Sequence, residues 1–227
     1  MMKIRHIAVL LLLCGCAPVV HKVDATPKPV DDVGSTTKLP GRFALVFDKS
    51  VSEKSTINLS YRAHDRIQCD FKVKADETIK ASTRSMLTSL FEQISEMNSI
   101  PTAATMKEQG LTGIVVITLT ELYNFFYRVN DSRSYSHLSC FSLWPYSKAT
   151  RVDAELKLQM EVRGIDNVLF FTRQYSSAVR HINCPAAKPC PSYAEGIEKS
   201  ITKALEDALT SMAKDLAKEP KLNPRMQ

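Results

Sequence analysis

Arg151-Val152-Asp153-Ala154-Glu155-Leu156-Lys157-Leu158-Gln159-Met160-Glu161-Val162-Arg163 alternates apolar and polar residues without a break. Gly164-Ile165-Asp166-Asn167 follows with turn chemistry, and residues 168–179 run back as a partner. A period of two puts Val152, Ala154, Leu156, Leu158, Met160 and Val162 on one side of an extended strand and the charges on the other. Slipping the register by one residue would turn the whole apolar row into water, so the hairpin is strongly specified. The larger apolar side chains of that row are together worth about 8–15 kcal/mol gross, before entropy is subtracted. A face of this size needs a cover.

Two segments have the periodicity to supply it. Asp76 is an N-cap residue ahead of Ile79, Met86, Leu87, Leu90, Phe91, Ile94 and Met97, whose three-and-four spacing predicts a helix over residues 76–98, stopped by Ile100-Pro101. Ser192-Tyr193-Ala194-Glu195 reads as a capping box opening a second helix, with Ile197, Ile201, Ala204, Leu205, Ala208, Met212 and Leu216 on its stripe and Pro220 as its stop. Residues 113–129, rich in β-branched and aromatic side chains, predict a long strand. Alternation also predicts strands at residues 43–47 and on both sides of Ala63-His64-Asp65, whereas residues 48–56 read as a turn and residues 102–109 as a loop or loose helical turn. The expected fold is α+β: an antiparallel sheet with a long hairpin, covered on one face by two helices.

The N-terminus carries the most specific motif. Met1-Met2-Lys3-Ile4-Arg5-His6 is a positive stretch, residues 7–13 are apolar but too few to span a bilayer, and Leu13-Cys14-Gly15-Cys16 ends the run. This tetrapeptide resembles a bacterial lipobox. The resemblance implies acylation of Cys16, which becomes the mature N-terminus, and two or three acyl chains anchor stably where one does not. Ala17, in place of Asp, favours the outer over the inner membrane under the sorting rule of enteric-type bacteria. Residues 1–15 are then a signal peptide and residues 16–40, with Pro18, Pro27, Pro29 and Pro40, a flexible tether. Residues 41–219 form one periplasmic domain, and residues 220–227 a polar tail.

The composition, 44% hydrophobic and 24% charged, supports a sizeable core. The formal charge of +6, or +4 without Lys3 and Arg5, is spread along the chain and argues against nucleic acid as a partner. An exported chain with four further cysteines, Cys69, Cys140, Cys184 and Cys190, is read as carrying two disulfides. Three connectivities are open. The short Pro185-Ala186-Ala187-Lys188-Pro189 loop favours Cys184–Cys190, leaving Cys69–Cys140 by elimination. The cysteine and histidine spacings match no metal motif, and neither a nucleophile elbow nor a phosphate loop is present. Asp153, Glu155 and Glu161 fall on the polar strand face beside Lys157 and Arg163, where a solvated, salt-laced surface is expected. No cofactor and no enzymatic activity are expected. Phe141, Trp144 and Tyr146, in the apolar insert of residues 138–146, mark an interface loop for a membrane or a protein.

In its order of elements, from lipobox and tether to alternating hairpin and capped last helix, the chain resembles small envelope lipoproteins of the YajG-like type. It is similar also to auxiliary lipoproteins of ABC-type lipid transport systems and to ring-forming lipoproteins related to the TolB N-terminal domain, over about residues 42–218. The resemblance implies a non-enzymatic, lipid-anchored accessory protein docked on an envelope transport, secretion or assembly complex. A self-oligomer is a further option, and a lipid or glycolipid binder, with a groove between helices and sheet flanked by Trp144 and Tyr146, is the alternative.

Overall fold

The computed structural model describes residues 19–25, 38–63, 67–128, 150–183, 189–219 and 222. In chain order these are β1 (Val20–Asp24), β2 (Leu39–Phe47), α1 (Ser50–Glu53), β3 (Thr56–Ala63), β4 (Ile67–Lys74), α2 (Asp76–Leu90), β5 (Phe91–Met97), α3 (Ala103–Glu108), β6 (Gly113–Arg128), β7 (Thr150–Gly164), β8 (Leu169–Asn183) and α4 (Pro189–Lys218). A five-stranded sheet is ordered β5-β2-β6-β7-β8, and a three-stranded one β1-β4-β3. The fold is α+β. Pairing is antiparallel across β6, β7 and β8 but parallel between β2 and both β5 and β6, so the larger sheet is mixed rather than wholly antiparallel.

The alternating stretch behaves as its pattern dictates. On β7, Val152, Ala154, Leu156, Leu158, Met160 and Val162 are all buried. Leu158 lies opposite Leu119 on one side and Tyr175 on the other. In the turn, Asn167 donates to the Gly164 carbonyl and Gly164 to that of Val168, both at 2.9 Å. Asn167 takes φ 61°, a left-handed conformation that Asn tolerates better than most residues. The main core joins this face to α2, α4 and the smaller sheet. On the opposite face a smaller cluster of Ala44, Val46, Ile114 and Val116 is capped by Met106 of α3 and by Leu111.

Three expectations need correction. The helix predicted over residues 76–98 stops at Leu90, and Phe91–Met97 becomes strand β5. Phe91, Ile94 and Met97 satisfy helical spacing, but the edge of β2 offers unpaired backbone groups, and Phe91 packs its ring on Phe43 at 4.6 Å. Residues 16–40, read as a tether, contain strand: Val20–Asp24 pairs in parallel register with Asp70–Lys74, burying Val23, and Leu39 and Pro40 already belong to β2. The Thr78 hydroxyl donates to the Ala25 carbonyl and ties the end of β1 to α2. Lastly, α4 begins at Pro189, so Ser192 lies inside its first turns rather than capping it.

A bulge between Leu119 and Glu121 divides β6. Before it β6 pairs with β2; beyond it β6 pairs with β7 alone among the strands of that sheet. The short helix α1 serves the break: Leu119 N–H donates to the buried Ser50 hydroxyl at 3.1 Å, and Lys54 Nζ donates to the Thr120 carbonyl at 3.1 Å. Buried donors left unpaired are costly, so this bulge is built into the fold.

Candidate functional site

The molecule has two ends. At one, Cys69 on β4 is bonded to Cys190 in the first turn of α4, with Cα atoms 5.4 Å apart. Around it Tyr61 stacks on Phe126 at 4.6 Å and meets Tyr193 edge-on at 5.0 Å, and Phe71 lies 5.9 Å from Phe126. The expected pairings Cys184–Cys190 and Cys69–Cys140 are thereby overturned. Tyr61, which lies opposite Cys69, packs on Tyr193, so the aromatic cluster brings the start of α4 onto β4 and Cys190 within bonding reach of Cys69. Cys16, Cys140, Cys184, Phe141, Trp144 and Tyr146 lie outside the described residues. His21, on β1, packs on Phe71 at 5.9 Å, which places the start of β1 at this same end.

From here α4 runs back along β8 in the opposite direction. His181 lies near Glu195 and Lys199, whereas Arg173 pairs with Asp215 at 2.9 Å. Burial lowers the His181 pKa and Lys199 lowers it further, with Glu195 opposing. At about 3.3 Å per residue, the strand carries the chain roughly 40 Å from His181 to the β7–β8 turn.

That far end is built differently. Val168, Leu169 and Phe170 are 57%, 48% and 39% exposed, with Ile165 beside them. Next to them an open groove of about 410 Å³ runs between Arg173–Ser176 of β8 and Ser211, Lys214, Asp215 and Lys218 of α4. Lys214 and Lys218 are exposed, and Asp215 is held by Arg173. Tyr175 lines the groove but is buried, which pushes its phenol pKa upward, and Asp215 pushes it further. β8 is an edge of its sheet. The pattern of residues 168–179 predicts only a partner for β7 and gives no sign of a groove. One residue departs from that pattern: Arg173 falls at an inward position, opposite Met160, where a charge suits an edge strand and not an interior one.

The polar face of β7 is salt-laced as expected, with Arg151–Asp153 at 2.9 Å, Arg163–Glu161 at 2.5 Å and Lys157–Glu121 at 2.5 Å. The interval between the long helices and the sheet is filled by core side chains, including Ile79, Met86, Ile197 and Leu205. Among the described residues no group of three His, Cys, Asp or Glu is placed to hold a metal ion, and no helix is long and apolar enough to cross a membrane.

No family model and no curated protein matches the chain. Among solved structures it is similar to a putative neuraminyllactose-binding hemagglutinin homolog from Helicobacter pylori, with TM-score 0.50 and 10% identity, covering 86% of this chain and 93% of that one. At that identity the likeness concerns the fold alone. Weaker likenesses are to a Xanthomonas campestris protein of the DUF330 family model, with TM-score 0.47, 9% identity and 88% and 98% covered, and to a minor lipoprotein from Acinetobacter baumannii, with TM-score 0.39, 10% identity and 80% and 93% covered.

Proposed function

We propose that the chain is a non-enzymatic bacterial envelope lipoprotein, acylated at Cys16 in the outer membrane and acting by contact with a transport, secretion or assembly complex. The observation that carries this reading is the place of Leu13-Cys14-Gly15-Cys16: Cys16 lies four residues ahead of Val20, the first residue of β1. Four residues span at most roughly 14 Å, so an acyl chain there holds the folded body against the bilayer with the disulfide end nearest. The alternative, a lipid binder with a groove between helices and sheet, is not favoured, because side chains fill that interval. Labelled palmitate should enter the wild-type chain, and C16S should abolish labelling and release the protein from membranes. Incorporation of no label, with C16S unchanged in location, overturns the anchoring. Crosslinking in intact envelopes should then recover a stoichiometric complex, and recovery of uncrosslinked chain alone overturns the accessory role.

A further inference from the structure

We infer that the groove between the edge of β8 and the last turns of α4 is a docking site for an extended acidic segment of a partner protein, which adds to the sheet as a further strand. This deepens the contact-based function proposed above by naming the surface and the chemistry of its partner. Three observations support it.

The first is the open edge. β8 is a 15-residue strand with β7 on one side and, among the described residues, no strand on the other. Every second residue of such an edge directs its N–H and C=O outward, which is the template for strand addition. The groove is lined by the consecutive residues Arg173, Gln174, Tyr175 and Ser176, from both faces of the strand, so it follows the backbone edge and not one sheet face. A helix forms its other wall, a geometry that admits one extended chain.

The second is charge. Arg173, Lys214 and Lys218 line the groove against the single carboxylate of Asp215, which Arg173 already engages. Acidic side chains at alternate positions of an added strand would face Lys214 and Lys218, whereas basic ones would be repelled. The third is the exposed Val168-Leu169-Phe170 run at the head of the same strand, which offers apolar contact to one end of the incoming segment. A hairpin tip alone is too small and too convex for a stable interface, which needs on the order of 800 Å² from each partner. Tip and groove together give the length a strand requires. Both lie on the side of the body away from the Cys69–Cys190 disulfide, beside which β1 begins.

The test uses the chain carrying C16S, so its outcome does not depend on acylation. Three probes are compared by backbone-amide NMR and calorimetry: an alternating valine–glutamate decapeptide, its valine–lysine counterpart, and the first peptide N-methylated at every second amide. The expected result is that the glutamate peptide perturbs the amides of residues 169–177 and binds at least about tenfold more tightly than the lysine peptide. N-methylation, which removes main-chain hydrogen bonds, should cost a further tenfold or more. K214E/K218E, both on the exposed face of α4, should invert the charge preference with an unchanged thermal melt. The inference is overturned by equal binding of the N-methylated peptide, by matching perturbation with inorganic phosphate or phosphatidylglycerol vesicles, by self-association through β8, or by no binding at millimolar peptide. A failure here leaves palmitate labelling at Cys16 untouched, and a failure of labelling leaves this assay untouched.

Discussion

The disulfide end and the hairpin end of this molecule lie on the same strands and could hardly be held together more differently. At the first, a covalent bond and a cluster of rings from β3, β4, β6 and α4 join both sheets and the last helix. At the second, the β7–β8 turn carries exposed Val168, Leu169 and Phe170, and the neighbouring contact between strand and helix is a half-exposed ion pair. One end is tied by a covalent bond and stacked rings, although Val20 and Phe125 are exposed near it; the other is held by an ion pair beside exposed charge and apolar side chains. The difference teaches that the cross-links between distant elements gather at one end, whereas strand β8 and helix α4 leave a groove between them towards the other.

The contrast breaks most sharply at the disulfide. Cys69 and Cys190 are 121 residues apart in sequence, and opening a loop of that size should cost about 3–5 kcal/mol. C69A or C190A should lower the urea midpoint accordingly, with hydrogen exchange rising first around β4 and the start of α4 and last around the β7–β8 turn. Uniform loosening would show that the two ends are not energetically distinct.

A pair of glycines sharpens it next. Gly113 and Gly164 lie opposite each other on β6 and β7, each beneath an aromatic ring. A Cβ on Gly113 would sit 2.8 Å from the Arg163 carbonyl oxygen and 2.6 Å from the buried ring of Phe43, neither of which has room to yield. Gly113→Ala should therefore cost about 2–3 kcal/mol in chemical denaturation. The three atoms nearest a Cβ on Gly164 all belong to the ring of Phe170, a residue 39% exposed and so able to shift outward. Gly164→Ala should cost about 1 kcal/mol or less, and combining it with F170A should remove the remaining penalty. Equal costs for the two glycines would mean that the tip is as tightly packed as the core.

The smallest effect is a pH dependence near the disulfide end. Burial and Lys199 hold the His181 pKa below its ordinary value of 6.5, so just below that pH the unfolded chain binds more protons than the folded one. Stability should fall as pH drops through 6.5 and level off below the folded-state pKa. H181Q should flatten the slope in urea titrations at successive pH values, and an unchanged slope would assign it to other groups.

Where periodicity was long and one face was buried, the sequence could be read directly. The alternation of residues 151–163 announced β7, and the stripe from Ile197 to Leu216 announced α4. The two misread strands show what local pattern leaves out. Phe91, Ile94 and Met97 fit a helix and an edge strand equally well, and the open side of β2 decided between them. β1 is only Val20-His21-Lys22-Val23-Asp24, too short to stand out from a proline-rich stretch until β4 is there to receive it. Disulfide pairing was illegible for a related reason: proximity in sequence favoured Cys184–Cys190, whereas the aromatic packing of Tyr61, Phe126 and Tyr193 brought Cys190 to Cys69. The groove drew no notice because a binding edge made of backbone leaves almost no residue signature, apart from an inward-facing Arg173.

β1 has a mechanical consequence. Its five residues run in register alongside Asp70–Lys74, so a pull applied upstream of Val20 acts along the strand and loads all of those rungs in shear, not one after another as in peeling. Such a pull would strain the seam of the small sheet, and the tie from Cys69 to Cys190 would pass that tension into the 30-residue helix α4.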